Sequence, residues 1–294
     1  MKLFLKTIAS LAIGLATANA VAAQLPYYSE EANNKAVEFG KGIISTERFE
    51  INAVFNEAGD NVLFARCADD FSTCQMMSSD YENGQWQMPT ALPFSGGYLE
   101  ADPYYSADYS TLYFVSKRPI DGSLTATESV NLWKTKMVDG QWQEPEYMPE
   151  LSSDANDLYP SVTNNDDLYF PSFRNEKRLM YVAKATANGF EKPQALPAEM
   201  FGEGGLIGDT VVLRDGKTII YSMRRADSLG KGDLYVSKLV DGKWTVATTL
   251  GDKVNTADHE FTPIVSPDGQ YLFFTRIENG RGNIYQIALS ALGL

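Results

Sequence analysis

The chain has 294 residues, with 25 Lys and Arg against 38 Asp and Glu, a net charge of −13, and a single His. That balance excludes the phosphate-neutralising surface on which nucleic-acid binding runs. One His leaves nothing from which to assemble a His-rich metal site or a His-dependent triad. After the N-terminus no segment approaches 18 consecutive apolar residues, so no membrane span is expected.

The first 23 residues read as a secretory signal peptide and not as part of the fold. Lys2 and Lys6 precede an apolar run from Ile8 to Ala16, and the small-residue sites Ala18-Asn19-Ala20 and Val21-Ala22-Ala23 follow it. No Cys stands after either site, so no lipoprotein anchor is expected and the protein is placed in the periplasm or outside the cell. Its loss removes two Lys and no acid, leaving 271 residues with a charge of −15. In an exported chain, Cys67 and Cys74 read as a disulfide that staples one loop.

From residue 47 onward one pattern recurs five times: AVFNEAGDNVLFAR, PYYSADYSTLYFVSKR, PSVTNNDDLYFPSFR, TVVLRDGKTIIYSMRR and PIVSPDGQYLFFTR. Each is an apolar run, a polar turn and a run rich in aromatic and branched residues. Aligned on Phe64, Phe114, Phe170, Tyr221 and Phe274, the copies are spaced by 50, 56, 51 and 53 residues. A second hairpin follows each of the first four, through NGQW, DGQW, NGF and DGKW, where Asn-Gly and Asp-Gly favour type I′ turns. Two hairpins make four strands, and four-stranded units repeated radially are the blades of a propeller.

The predicted fold is therefore an all-β, five-bladed propeller with repeats near 47–97, 98–154, 155–203, 204–256 and 257–294. The fifth copy ends after its third strand. VEFGKGIIST before the first copy matches ATTLGDKVNT before the fifth, so residues 36–44 are expected to supply the missing outer strand. Six blades is the alternative, for which residues 24–46 are too short. Trp86, Trp142 and Trp244 recur at equivalent points and read as packing between blades.

Repeat five carries E-x-x-P-x-x-S-x-D-G-x-x-L-x-F nearly whole, as Glu260, Pro263, Ser266, Asp268, Gly269, Leu272 and Phe274. At this motif the chain resembles the WD-like propeller repeat of the TolB type, common in bacterial envelope proteins. The likeness extends over all five repeats. It implies a β-propeller that binds proteins or other ligands, without catalysis. TolB-type propellers have six blades and an extra N-terminal domain, for neither of which this sequence leaves room, so a role in the Tol system is not implied.

Inner strands of a propeller begin on the face where second strands end. Glu50, Glu100, Asp157 and Glu260 open inner strands; repeat four has Ile207 there, with Asp209 two residues on. Arg66, Arg118, Arg174, Arg225 and Arg276 close second strands. Acids and guanidiniums are thus expected at one mouth, either as Arg–carboxylate pairs between adjacent blades or as groups facing a ligand. Departures from the repeat are the sharper ligand-binding candidates: His259, Asp102, Tyr104 and Tyr159. The unequal loops joining second to third strands share this mouth.

No hydrolase, metalloprotease or nucleotide-binding motif occurs. The reading is a monomeric binding propeller for an envelope protein, a small molecule or a glycan, with no cofactor and no metal. The alternative is a glycosidase-like enzyme using two of Glu50, Glu100, Asp102, Asp157 and Glu260 as paired carboxylates.

Overall fold

A computed structural model describes residues 25–294. The expected export segment, residues 1–23, lies outside the described residues. Among those described, no helix is long and apolar enough to cross a membrane. The described residues form five antiparallel sheets of four or five strands and one two-stranded ribbon, and helix among them is confined to short 3-10 turns.

Blade 1 runs from the inner strand Phe49–Phe55 through Asn61–Cys67 to Cys74–Glu82, with Gln85–Trp86 and Thr90–Ala91 at its outer edge. Blade 2 repeats this with Glu100–Tyr105, Thr111–Ser116, Asn131–Val138 and the edge pieces Gln141–Trp142 and Glu146–Tyr147. Blade 3 has a short inner strand, Ser161–Val162, then Leu168–Ser172, Leu179–Ala183 and Gln194–Ala195. Blade 4 comprises Leu206–Val212, Thr218–Arg224, Asp233–Val240, Lys243–Trp244 and Thr248–Thr249. Blade 5 takes His259–Val265, Tyr271–Glu278 and Arg281–Ala288 from the C-terminus and Val37–Glu38 from the N-terminus.

That last pairing closes the ring as the sequence predicts, with five blades and not six. Val37 and Glu38 lie opposite Gln286 and Tyr285, and the Phe39 amide donates to the Ile284 carbonyl at 2.8 Å. Phe39 then inserts among Phe55, Trp86 and Phe273, which joins the closing strand to blades 1 and 5. Each outer edge is itself broken. Pro89, Pro145 and Pro193 sit in the gaps or flanks of the outer strands of blades 1 to 3, where a missing N–H costs no ladder bond and blunts an exposed edge.

The core lies between blades. Phe64, Phe114, Phe170, Tyr221 and Phe274, the residues on which the repeats align, are all buried. Trp86 packs on Phe39, Phe55 and Tyr81, and Trp142 on Phe94 and Tyr105. The tight turns are as the sequence predicts in blades 1, 2 and 4 but not in blade 3, where Asn188 lacks positive φ and Gly189 stands at 133°. Asn83-Gly84, Asp139-Gly140 and Asp241-Gly242 all have positive φ, which Gly at the second position adopts without cost. Cys67 and Cys74 are bonded and form the last rung of the second–third strand ladder of blade 1.

Replacing Phe39 by Ala removes the ring that fastens the closing strand to both neighbouring blades. The expected loss is about 3–5 kcal/mol in reversible denaturant unfolding, whereas a loss below about 1 kcal/mol would show that closure carries little of the stability.

Candidate functional site

Five inner strands converge on the axis, and each meets its second strand through an irregular register. The pairing slips between Ile51 and Val54, Ala101 and Tyr104, Ile207 and Thr210, and Phe261 and Ile264. Slips of this kind are β-bulges, which bend a strand and re-aim a side chain. Pro103, Pro160 and Pro263 fit beside them because a bulged residue needs no ladder N–H. The residue just before the Pro position has positive φ in four blades: 61° at Asn52, 56° at Asp102, 46° at Tyr159 and 48° at Thr262. Such backbone is costly for non-Gly residues and persists only where its surroundings hold it.

Two sets of polar groups result. The first is at the head of the inner strands. Arg66 Nε donates to Glu50 at 2.8 Å, Arg118 Nε to Glu100 at 2.6 Å, Arg174 Nη2 to Asp157 at 2.8 Å and Arg276 Nε to Glu260 at 2.7 Å. All four carboxylates are wholly buried. Backbone and hydroxyl donors four residues upstream fill their other lone pairs: Thr46, Gly96, Ser153 and Thr256. The arginines also donate to carbonyls of the preceding connection, at Phe94, Leu151 and Val254.

Two expectations are corrected here. The pairs form within one blade, not between adjacent blades, because Glu50 faces Arg66 and Glu260 faces Arg276 in the same hairpin ladder. Arg225 belongs to no such pair. Ile207 occupies the acid position of blade 4 and faces Met223, and Arg225 instead grips the exposed Asp227 of its own loop at 2.6 Å.

The second set lies two residues further along each inner strand. Asn52 Nδ2 donates to Asp102 Oδ1 at 3.1 Å, and the Tyr159 amide donates to Asp102 Oδ2 at 3.2 Å. Asp209 accepts from the Thr262 amide at 3.0 Å, and burial together with the charge of Asp209 opposes ionisation of the Tyr159 phenol. Asn52, Asp102, Tyr159, Asp209 and Thr262 thus supply one residue per blade around the channel, with hydrogen bonds joining blades 1, 2 and 3 through Asp102 and blades 4 and 5 through Asp209. Arg178, from the second–third strand loop of blade 3, reaches Asp209 at 3.7 Å and leaves its Nε buried without an acceptor. His259 stacks on Phe261 and abuts Gly232, half-buried at the blade 4–5 junction.

Burial dominates the ionisation of this ring. Desolvation, then the charge of Asp209, pushes Asp102 up to about 7; hydrogen bonds from Asn52 and Tyr159 oppose the shift. Asp209 is raised by the same desolvation, with Arg178 working against it. His259 is lowered by its burial. An acid near 7 can hold or release a proton at neutral pH, so the ring combines one exchangeable proton with donors and acceptors of both signs.

Of the residues predicted from sequence, Asp102 and Tyr159 thus meet in one ring, and Glu50, Glu100, Asp157 and Glu260 stand beside it in closed ion pairs. Tyr104 lies elsewhere: the bulge sends it to the opposite end of the channel, buried against Arg214. Asn52, Thr262 and Arg178 were not singled out. The first two carry the same offset from the opening acid as Asp102 and Tyr159, a signal present in the repeat; Arg178 sits in an irregular loop and carries none.

No family model matches the chain, and no curated protein matches it. Solved structures do. A glycoside hydrolase superposes with a TM-score of 0.55 at 13% identity, over 88% of this chain and 92% of that one. A TolB candidate from Agrobacterium tumefaciens gives 0.51 at 12% identity, over 78% and 70%. A protein of unknown function from Dyadobacter fermentans gives 0.50 at 15% identity, over 87% and 83%. Against TolB from Acinetobacter baumannii the chain spans 55% of that protein's length. At these identities the likeness shows the fold alone: a TolB-like β-propeller, a fold also found in a glycoside hydrolase.

The shift of Asp102 fixes a sign for stability against pH. An acid raised on folding holds more protons in the native state than in the unfolded chain. Its contribution is therefore full below about pH 4 and lost as pH rises through about 7. Unfolding free energies of the wild type and Asp102→Asn should differ in slope between about pH 4 and 7 and run parallel above it. The wild type should lose up to about 1.4 kcal/mol more per pH unit at its steepest; parallel curves over that range would show Asp102 to be ionised throughout.

Proposed function

We propose that this is an exported, monomeric binding propeller that holds a protein partner of the cell envelope at its loop-bearing mouth, without catalysis. One observation carries the reading. The second–third strand loops and inner-strand starts of four blades leave large apolar side chains in solvent around a single opening. They are Phe71 from blade 1, Ile120 and Leu124 from blade 2, Phe173 from blade 3, and Leu206 and Leu229 from blade 4. Leu124 is 92% exposed, Leu206 70% and Leu229 58%. A ring of exposed apolar residues among charged neighbours is what a protein interface requires. Export rests on the N-terminal charge and apolar pattern, and the disulfide in blade 1 suits an oxidising compartment.

The glycosidase alternative retains one supporting observation: Asp102 and Asp209 lack the close Arg clamp of the other acids, and Asp102 is poised to carry a proton. Against it, Glu50, Glu100, Asp157 and Glu260 are wholly buried in their clamps, where they meet neither water nor sugar.

Leu124→Asp and Leu229→Asp should each weaken capture of the envelope partner at least about 10-fold, about 1.4 kcal/mol, while stability stays within about 0.5 kcal/mol. Met88→Asp, on the far outer edge, should leave capture unchanged. Equal effects of all three, or sugar release abolished by Asp102→Asn, would overturn the reading.

A further inference from the structure

The other end of the channel, where the first–second strand hairpins turn, holds a cavity of about 230 Å³. Val54, Phe55, Leu213 and Val265 give it apolar walls from three blades. Among the described residues Arg214 is the only cation that lines it. The guanidinium lies over Tyr104 at 5.1 Å and over Tyr109 at 5.2 Å, held between two rings. Its Nη2 donates to the Tyr105 carbonyl at 3.0 Å, and its Nη1 is buried with no acceptor. Unlike Arg66, Arg118, Arg174, Arg178 and Arg276, Arg214 makes no ion pair among the described residues.

This corner also departs from the blade repeat. At the position of Leu213 the other hairpins carry Asn56, Ser106, Thr163 and Ser266, whose side-chain oxygens accept from amides of their own turns. At the position of Arg214 they carry Glu57, Ala107, Asn164 and Pro267. Blade 4 has given up a turn-stabilising polar group for an apolar wall and has added an unpaired charge next to it. A buried guanidinium donor without a partner is costly, and packing between hairpins does not require one.

We propose that this cavity binds a small organic monocarboxylate with an apolar body, its carboxylate on Arg214 and its hydrocarbon against Val54, Leu213 and Val265. A planar carboxylate matches the guanidinium fork and satisfies the orphan Nη1. Asp215 and Asp268 at the rim accept from turn donors of their own hairpins; their charge opposes any anion, and most of all a second carboxylate that has no guanidinium to face. The site lies at the mouth opposite the exposed loop residues, so it is independent of protein capture there.

Titration calorimetry of the full chain with isocaproate, leucine and the neutral isocaproamide tests this. Isocaproate should bind saturably and isocaproamide should not. Arg214→Met should weaken binding at least 10-fold, and Arg214→Lys, which keeps the charge and loses the fork, should fall between. Should Arg214→Met fail to fold, Val265→Phe, which fills the cavity and leaves the charge, should abolish binding by itself. Leucine binding as tightly as isocaproate assigns the site to apolar amino acids; isocaproate alone assigns it to plain carboxylic acids. Absence of saturable binding by either acid, equal binding of the amide, or binding that survives Arg214→Lys and Val265→Phe unchanged would overturn the proposal.

Discussion

The buried carboxylate at the head of an inner strand is the contact on which the rest of this propeller depends. It collects three things at one point: the upstream connection through Thr46, Gly96, Ser153 or Thr256, the second strand through its Arg, and the inner strand itself. In blades 2, 3 and 5 the same Arg also binds a carbonyl of the preceding connection. Each clamp therefore fixes where one blade begins relative to the last. An ion pair so buried adds little net stability over an apolar pair, yet breaking it by removing one partner is severe. Its worth is positional, and blade 4 shows the substitution directly, with Ile207 against Met223 where the others have acid and Arg.

Because the strand heads are fixed, the next residues can bulge. The positive-φ residues Asn52, Asp102, Tyr159 and Thr262 turn toward the axis only because the clamp behind and the regular ladder ahead leave them no other course. Their side chains differ from blade to blade while their backbone does not. The scaffold thus presents a set of variable groups on a constant frame, and Asp102 with Asp209 concentrates desolvated acid there. The same division holds at both mouths. Loops that differ in length carry the exposed Leu124 and Leu229, and the one hairpin that breaks the turn pattern carries Arg214.

Much of this fold is legible in the residues, because a propeller writes its geometry five times. The aligned aromatics of the second strands, the Asn-Gly and Asp-Gly turns of blades 1, 2 and 4, the match of residues 37–46 to 247–256 and the Cys67–Cys74 bridge all have their structural counterparts. The match even extends to chemistry, since Thr46 and Thr256 bind Glu50 and Glu260 alike. Pairing partners were harder to read. Acids and arginines repeat with the blade, so sequence alone does not tell a bond within a hairpin from one to its neighbour; register decides, and a bulge shifts register. The bulge likewise sends Tyr104 away from Asp102, two residues earlier. Arg178 and the sequence of exposed loop residues follow no repeat, and nothing but the folded loops brings them together.

The central claim is that the conspicuous acids and arginines position blades and that only departures from the repeat serve recognition. A double-mutant cycle on blade 5 tests it most directly. Arg276→Met alone strands Glu260 in the core and should cost about 3–5 kcal/mol. Glu260→Ile together with Arg276→Met, which copies the Ile207–Met223 pair of blade 4, should restore at least half of that loss and leave partner capture unchanged. A single variant as stable as wild type, or a double variant that folds well and no longer captures the partner, would contradict the account.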